Sequence, residues 1–335
     1  MFEGFESFWT PVALSRELRR AGPLPLRIAR EDVVLFRDAR GTASALIDRC
    51  PHRGARLSQG RVGKDGCLEC PFHGWRFDGA GACTDVPLAA LDGDKRAHLS
   101  ATALPTRELG GLVWLFTGLD AQGSEPQPPP RMTDPAWVSR GIVRVWRTHW
   151  TRALENMLDF AHLPWVHRGS IGAGLSGAVE RRATLDVRVE PTSYGFRATA
   201  TLEGKPMTGG IDWHRPHCAA VDLGFAVQHI FAVPIDETTT RMIVVSSRRA
   251  SRYNLWHWLV DSTNPYILRE DQCVMEGICF YEVPVDQGEG EGPHEKSVAS
   301  DAPSLAFRKW YRRWKGSRRG DSDIVPASRL LRDAS

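Results

Sequence analysis

Short apolar segments separated by turn residues occupy the first third of the chain. Residues 31–37, 43–48 and 111–117 are rich in apolar side chains, and turns such as 38–41 separate them. Segments of this length, bounded by turn residues, predict β-strands. Many short strands joined by glycine-rich turns are typical of a small antiparallel sandwich. We therefore predict an all-β domain over residues 1–120.

A proline-rich stretch separates this domain from the rest of the chain. Residues 120–135 contain five prolines and few apolar side chains, a composition that is typical of a linker. We predict a linker over residues 121–135 and a second domain over residues 136–335.

The second domain contains longer strand-like and helix-like segments. Its hydrophobic pattern predicts strands at 141–151, 183–189, 194–202, 219–233 and 239–246, and helices at 152–161, 264–282 and 301–315. Asn264 is a candidate N-cap with Pro265 as the first helical residue, and Asp301 is a candidate cap for the last helix. A large antiparallel sheet with helices across it is an α+β architecture.

The composition is that of an ordinary globular protein. Of the 335 residues, 42% are hydrophobic and 25% are charged, and the net charge is only +3. This balance gives no reason to expect a nucleic acid partner. No window approaches the roughly 18 apolar residues of a membrane-spanning helix, and the N-terminal segment lacks the pattern of a secretory signal. We therefore expect no membrane span.

The seven cysteines are an odd number, unlike the disulfide framework of a small secreted domain. Two of them belong to the ligand motif described next. The other five are Cys67, Cys83, Cys218, Cys273 and Cys279. We expect these five to be free thiols in a reducing compartment, so a cytoplasmic location is the expectation.

Two short loops each offer one thiol and one imidazole. Cys50 and His52 lie in the first loop, Cys70 and His73 lie in the second, and seventeen residues separate His52 from Cys70. Two Cys and two His can hold either one zinc ion or one [2Fe–2S] cluster. Zinc modules usually take both cysteines from one loop and both histidines from the other. A mixed pair in each loop favours the cluster, with the two Cys on one iron and the two His on the other.

A second group of candidate ligands lies near the start of the second domain. Asp159 and His162 are three residues apart, so they can share one helix face. Pro164 is expected to end or kink that helix, which would bring His167 back beside His162. Two histidines alone are a weak signal, because such a pair is often structural.

The two loops match the motif C-x-H and C-x-x-H, and in this they resemble the Rieske proteins. The segment with Asn156, Asp159, His162 and His167 resembles the motif N-x-x-D-x-x-H-x-x-x-x-H of the Rieske non-haem iron oxygenases. The likeness covers nearly the whole chain and is strongest to oxygenase (alpha) subunits of the vanillate and dicamba O-demethylase type. It implies an N-terminal all-β Rieske domain followed by a helix-grip-like catalytic domain, in which helices flank a large antiparallel sheet.

The resemblance also implies a set of metal ligands. The two loops would hold a [2Fe–2S] cluster, and a mononuclear Fe(II) would be held by His162, His167 and a carboxylate from a later helix. The best match for this carboxylate is Asp271, with Glu270 as the chief competitor and Glu276 as a weaker one.

Two further residues receive roles from the resemblance. Asp159 is implied to link His162 to His73 of a neighbouring subunit, within a homotrimer in which the electron crosses between subunits. Asn156 is expected either to tune access to the iron or simply to cap and pack.

The function implied is that of an oxygenase. It would use O2, and electrons from a separate ferredoxin or flavin reductase, to hydroxylate or demethylate a small aromatic or polycyclic compound. No G-x-G-x-x-G fingerprint for a nucleotide cofactor follows a predicted strand. A plain Rieske electron carrier and a zinc-binding interaction protein are the alternatives.

The substrate pocket is poorly specified by the sequence. Aromatic residues on the predicted strands and nearby either line a pocket or belong to the core, and the core is the commoner place for them. The candidates are Trp213, Phe225, His229, Phe231 and Trp256.

Overall fold

The chain folds into two compact units. The structure is a computed structural model that describes residues 1–18, 22–89, 96, 98–249, 254–278 and 295–320, with the backbone alone at 254–261 and 318–320. The first unit comprises residues Met1–Thr133 and Val233–Asp236. The second comprises Asp134–Ala232 and Glu237–Ser335.

Short antiparallel strands build the first unit. They are β1 (Trp9–Leu14), β2 (Leu24–Ile28), β3 (Glu31–Arg37), β4 (Ala43–Ile47), β5 (Arg61–Val62), β6 (Leu68–Glu69), β7 (Arg76–Phe77), β8 (Cys83–Asp85), β9 (Ala103–Leu104), β10 (Thr106–Leu109) and β11 (Leu112–Phe116). They pair in the orders β1-β11-β10, β2-β3-β4-β9 and β5-β6-β7-β8. This arrangement confirms the predicted all-β domain.

One apolar core joins two of these sheets to the ligand loops. Phe36 of β3, Leu46 of β4 and Phe77 of β7 are fully buried and pack in the same cluster as Cys50 and Cys70. The two cysteines are thus held by packed strands, which fixes both loops relative to each other.

An arginine ties three segments of the first unit together. Arg37, at the end of β3, forms a two-bond ion pair with Glu108 of β10, at 2.9 and 3.0 Å. It also donates hydrogen bonds to the backbone carbonyls of Ser15, Leu18 and Gly41. The ion pair with Arg37 holds the pKa of the Glu108 carboxyl below its usual value.

A large antiparallel sheet forms the second unit, as predicted. Its strands are β12 (Trp137–Trp146), β13 (Leu185–Pro191), β14 (Gly195–Leu202), β15 (Lys205–Pro206), β16 (Gly210–His214), β17 (Cys218–Asp222), β18 (Val227–Pro234) and β19 (Thr240–Arg249). The order is β12-β19-β18-β17-β16-β14-β13, with β15 paired to β14. The prediction of a single strand over 219–233 is wrong, because Gly224 has a φ of +80° in a turn between β17 and β18.

Helices accompany this sheet, as the α+β prediction requires. They are α1 (Trp150–Leu158), α2 (Leu163–Val166), α3 (Ser176–Glu180), α4 (Asn254–Met275) and α5 (Ala302–Gly320). Single 3-10 turns occur at Leu57–Gln59, Pro130–Met132, Ala173–Leu175 and Ala299–Asp301. Helix α1 starts and ends before the predicted 152–161, because the His149 side chain caps its start and Asp159 is already extended, with φ −93° and ψ 139°.

The predicted start of the long helix is wrong. Helix α4 begins at Asn254, so Asn264 is not its N-cap and Pro265 lies inside the helix. A proline within a helix removes one backbone hydrogen bond. Here the helix continues through it, with Asn264 and Leu268 buried on one side. The described helix ends at Met275.

The last helix begins close to its predicted position. Asp301 lies directly before α5, but its carboxylate accepts a hydrogen bond from the backbone N–H of Val298 at 2.8 Å. It therefore stabilises the preceding 3-10 turn. Phe307 and Tyr311 of α5 are buried and pack against Trp150 of α1.

Candidate metal centres

The two predicted cluster loops have the same backbone structure. Gly54 and Gly74 follow the ligand positions with φ of +74° and +71°, a conformation that favours glycine. Each loop is closed by two backbone hydrogen bonds of 2.8–3.1 Å, namely Cys50 N to Ala55 O, Gly54 N to Cys50 O, Cys70 N to Trp75 O, and Gly74 N to Cys70 O. The matching turns present equivalent side chains from two sides.

Thiols lie inside this site and imidazoles lie outside. Cys50 and Cys70 are each 2% exposed, whereas His52 and His73 are exposed, with ring centroids 4.7 Å apart. Trp75 stacks on the His52 ring at 4.5 Å, with the planes 2° apart. Two buried thiols facing two surface imidazoles are a donor set that suits the unequal ligation of a Rieske cluster.

Protonation of these side chains depends strongly on burial. Burial raises the pKa of the Cys50 thiol to about 11. Desolvation and the nearby His73 lower the pKa of His52, so its ring is neutral and has a free nitrogen lone pair. A thiol with so high a pKa gives up its proton when a metal replaces it, so metal loading releases protons here.

The second candidate centre begins at Asp159, the residue that follows the last residue of α1. The Asp159 carboxylate accepts hydrogen bonds from the backbone N–H groups of Ala161, at 2.8 Å, and His162, at 3.1 Å. The same carboxylate lies 3.4 Å from Nδ1 of His162. Burial would raise the pKa of Asp159, but these contacts hold it below its usual value. The residue is therefore an anion beside His162.

Three side chains converge a few residues further on. Helix α2, which contains Pro164, leads to His167, and the rings of His162 and His167 lie 5.2 Å apart. Asp271 Oδ1 lies 3.1 Å from Nε2 of His167 and 3.6 Å from Nε2 of His162. One ligand atom from each of these three residues lies within 4.8 Å of the other two. This set of two imidazoles and one carboxylate suits a ferrous ion with open positions.

The two competing carboxylates lie elsewhere. Glu270 approaches His167 at the other ring nitrogen, with Oε2 2.9 Å from Nδ1. Glu276 accepts hydrogen bonds from the Arg147 backbone and the Gln272 side chain. Neither belongs to the group of three. Burial would lower the pKa of His167, but Asp271 and Glu270 raise it above its usual value.

Asn156 also belongs to this region. Its side-chain amide, on the last turn of α1, donates a hydrogen bond to Asp271 Oδ1 at 3.0 Å. Asp271 is only 3% exposed, so this bond orients a buried carboxylate. This hydrogen bond to Asp271 is neither of the two roles predicted for Asn156.

A cleft of ≈ 870 Å³, counting the part open to solvent, lies against this group. Helix α4 contributes Asn264, Ile267, Leu268 and Asp271, at intervals that share one helix face. Most of the other wall residues are apolar. The apolar residues include Met157, Phe160, Leu163, Ile171, Met207, Ile211, Val221, Leu223, Ile230 and Val244. Gln228 and Thr208 are polar residues of the same wall.

Four of the five aromatic residues proposed for the pocket do not line this cleft. Trp213 packs in the core against Phe307 and Trp310 of α5. His229 and Phe231 are buried outside the cleft wall, and Phe225 is exposed. The Trp256 side chain lies outside the described residues. The sequence analysis did not identify Ile267 and Leu268 as residues of the cleft wall, although both lie one helical turn from Asp271.

Two family models match the chain, one in each unit. Residues 8–93 match the Rieske [2Fe-2S] domain, and residues 146–316 match the vanillate O-demethylase oxygenase C-terminal domain. The chain therefore belongs to the Rieske non-haem iron oxygenases, in the class whose catalytic domain is of the vanillate O-demethylase type. The predicted family is confirmed. The Rieske domain implies a [2Fe–2S] cluster, and this family uses a mononuclear iron.

Individual relatives give the same picture. The chain is 27% identical over 355 residues to pheophorbide a oxygenase from Oryza sativa subsp. japonica, covering 92% of this chain and 65% of the relative. It is 28% identical over 303 residues to the 5,5'-dehydrodivanillate O-demethylase oxygenase subunit of Sphingobium sp., covering 87% and 66%. The chain thus spans slightly less than two thirds of the length of both relatives.

Solved structures share the fold. The crystal structure of dicamba monooxygenase bound to dicamba superimposes with a TM-score of 0.75 at 22% identity, covering 93% of this chain and 99% of the other. This likeness supports the fold assignment alone. In the part of the chain that the structure describes, no helix has both the length and the apolar character to cross a membrane.

Proposed function

We propose that this chain is the oxygenase subunit of a Rieske-type system. It uses O2 and electrons from a separate ferredoxin or flavin reductase to hydroxylate or demethylate a small aromatic or polycyclic substrate. The observation that carries this proposal is the convergence of His162, His167 and Asp271 beside an apolar cleft. A plain electron carrier has no use for such a centre, so the oxygenase is favoured over that alternative.

The proposal assigns each metal group to residues. Cys50, His52, Cys70 and His73 hold the [2Fe–2S] cluster, and His162, His167 and Asp271 hold the ferrous ion. When bound, the cluster stores one electron and the ferrous ion supplies open coordination positions for dioxygen. The task of the protein is to keep these ligands in place and to exclude competing ligands.

The cleft supports the class of substrate. Its volume is within the range of about 300–1,000 Å³ that is usual for small-molecule sites. Its wall is mainly aliphatic, so an apolar ring compound gains free energy by leaving water there. Gln228 and Asn264 are polar exceptions in the wall, linked by a hydrogen bond of 3.4 Å. Their polar groups can favour one orientation of a bound substrate over another.

Asp159 and Asn156 are assigned supporting roles. Asp159 lies on the Nδ1 side of His162, where a carboxylate orients an imidazole that binds metal through Nε2. We propose that it also links His162 to His73 of a neighbouring subunit, which requires an oligomer, and a homotrimer is our proposal. Asn156 orients Asp271 through the bond already described.

A cytoplasmic location is part of the same proposal. Apart from the two proposed cluster ligands, four cysteines of the described residues are free thiols, and Cys67, Cys83 and Cys218 of these four are buried. Buried free thiols fit a reducing compartment. Cys279 lies outside the described residues.

Removal of single ligands tests the proposal. His162→Ala and Asp271→Ala are expected to abolish oxygenation and to lose the mononuclear iron, because each removes one of three ligands. Sulfide content and the visible spectrum of the cluster are expected to stay at wild-type levels, since Cys50 and Cys70 are untouched, whereas total iron is expected to fall by the one mononuclear ion. Glu276→Gln serves as the control and is expected to retain turnover. Full turnover in Asp271→Ala would contradict the assignment.

A further inference from the structure

One imidazole of the candidate iron centre is held at both ring nitrogens by neighbouring residues of the same helix. Asp271 lies 3.1 Å from Nε2 of His167, and Glu270 lies 2.9 Å from Nδ1. Successive residues on a helix point about 100° apart. The extra methylene of a glutamate lets Glu270 reach the nitrogen that faces away from Asp271. His167 therefore lies between the carboxylates of Asp271 and Glu270, and the glutamate side chain is longer by one methylene group.

A hydroxyl completes the contact. Ser170 Oγ donates a hydrogen bond of 2.6 Å to the same Glu270 oxygen that faces His167. The backbone N–H of Ser170 donates to the carbonyl of His167 at 2.9 Å. The turn that follows His167 is thus attached to α4 through one carboxylate oxygen. Any movement of this turn away from α4 breaks both hydrogen bonds to that oxygen.

We propose that Glu270 is a positioning residue for the ferrous site. It accepts the Nδ1–H of His167, and it thereby leaves Nε2, which faces Asp271 and His162, as the nitrogen that would bind iron. A carboxylate in this place also makes the imidazole a more basic ligand. His162 has Asp159 at the equivalent nitrogen, at 3.4 Å, so each histidine of the centre has its own supporting carboxylate. This inference rests on the proposed function, because it assumes that the three residues bind iron.

The burial of His167 and Glu270 makes the negative charge of Glu270 important for His167. The side chains of His167 and Glu270 are 2% and 15% exposed, and that of Asp271 is 4% exposed. Water screens a charge poorly at such a site, so a carboxylate there acts on its neighbour more strongly than at the surface. A neutral substitute at position 270 is expected to retain part of the orienting effect and to lose the electrostatic part.

Iron affinity tests the role directly. The purified chain, with its cluster intact, is depleted of mononuclear iron and titrated anaerobically with ferrous ions in competition with a colorimetric chelator. Glu270→Ala is expected to weaken ferrous binding about 10–100-fold, while one ion per chain still binds at saturation. Glu270→Gln is expected to lose less, because the amide oxygen can still accept the Nδ1–H. Ser170→Ala is expected to lose roughly 2–10-fold, the equivalent of one ordinary hydrogen bond.

A matched control and a second readout separate positioning from general damage. Glu276→Gln changes a glutamate just beyond the end of α4 that contacts Gln272 and Arg147, and its ferrous affinity is expected to equal that of the wild type. The nitric oxide adduct of the ferrous site gives an electron paramagnetic resonance spectrum. That spectrum is expected to broaden in Glu270→Ala, because His167 is less firmly oriented, and to stay unchanged in Glu276→Gln.

Two results would overturn the role of Glu270. One is a ferrous affinity in Glu270→Ala within twofold of the wild type. The other is the loss of all ferrous binding in Glu270→Ala while Asp271→Ala retains it, which would make Glu270 the ligand. A wild-type chain that binds no ferrous ion would instead overturn the proposed function itself, so the two failures are distinguishable.

Discussion

Asp159 connects three parts of the second unit through one carboxylate. It ends α1, accepts two backbone hydrogen bonds from the following turn, and lies beside Nδ1 of His162. Its low pKa means that the group is charged throughout the neutral range. The charge is largely separable from the backbone cap, since the single side-chain oxygen of an asparagine can still accept the shorter of the two backbone hydrogen bonds, that from Ala161.

Asp159→Asn is therefore expected to fold and to bind both metal groups, yet to slow product formation by about 10–100-fold. The substitution keeps size and shape but removes the negative charge beside the His162 imidazole. Stopped-flow measurement of cluster oxidation, with substrate and O2 present, would locate the loss at electron delivery. Wild-type rates of cluster oxidation in the variant would remove Asp159 from that route.

Residue spacing was enough to predict which side chains meet, but not how they face each other. His162 and His167 were expected to meet because Pro164 was predicted to end or kink the helix between them. They do meet, but for another reason: α1 already ends at Leu158, and Pro164 lies in the first turn of α2. Glu270 and Asp271 were not separable with the same certainty, since both precede the same apolar residues on one helix. Which of the two reaches Nε2 depends on the rotation of α4, and tertiary packing sets that rotation.

At the scale of elements, the ion pair between Arg37 and Glu108 is the clearest electrostatic contact between two strands. It connects β3 to β10 in the first unit, with the Arg37 side chain only 15% exposed. Glu108→Gln is expected to lower the free energy of unfolding by about 0.5–1 kcal/mol at neutral pH, because one charged partner of a two-bond pair is lost. Urea unfolding of the intact protein measures this difference.

The pH dependence of that difference has a definite sign. The pKa of Glu108 is lower in the folded chain than the ordinary value of 4.5. Its contribution to stability is thus complete above that value and disappears as the pH falls through the folded pKa. The difference between wild type and Glu108→Gln should vanish on acidification. Glu125→Gln is the matched control, because its similar pair with Arg107 is exposed and is expected to matter less. A constant difference at all pH values would exclude the ion pair as its source.

The helix boundaries show where local sequence signals were overridden. Asn264-Pro265 has the composition of a helix start, yet α4 begins ten residues earlier, at Asn254. The local signal was misleading because burial of Asn264, Leu268 and Asp271 on one face supports a continuous helix. Strands β13 and β14 were predicted well, because their residues alternate between the two faces of the sheet. The predicted strand at 141–151 was wrong at its end, because β12 ends at Trp146 and α1 begins at Trp150, and β16 was not predicted. Gly224, where a predicted strand divides in two, gave the available turn signal.

At the scale of the whole molecule, the proposed electron route requires more than one chain. Chains with Cys50→Ala lack a cluster ligand, and chains with His162→Ala lack an iron ligand, so neither is expected to be active alone. Mixed oligomers of the two are expected to recover activity, because an intact cluster in one subunit then faces an intact iron site in its neighbour. Turnover and native mass spectrometry of the mixture measure this.

The control for this experiment is a mixture in which each chain carries both substitutions, which should stay inactive. Verified mixed oligomers without any activity would show that the electron stays within one chain. The intersubunit role of Asp159 would then have to be withdrawn.

Helix α4 contributes both to the wall of the cleft and to the candidate iron centre. Ile267 and Leu268 face the cleft one turn before Asp271, and Glu270 and Asp271 together hold His167. Because Glu270 and Asp271 are adjacent on α4, any displacement of this helix moves both carboxylates together and keeps the spacing between them. We therefore expect substitutions at 267 and 268 to change which ring compounds fit the cleft without removing a candidate ligand of the ferrous ion.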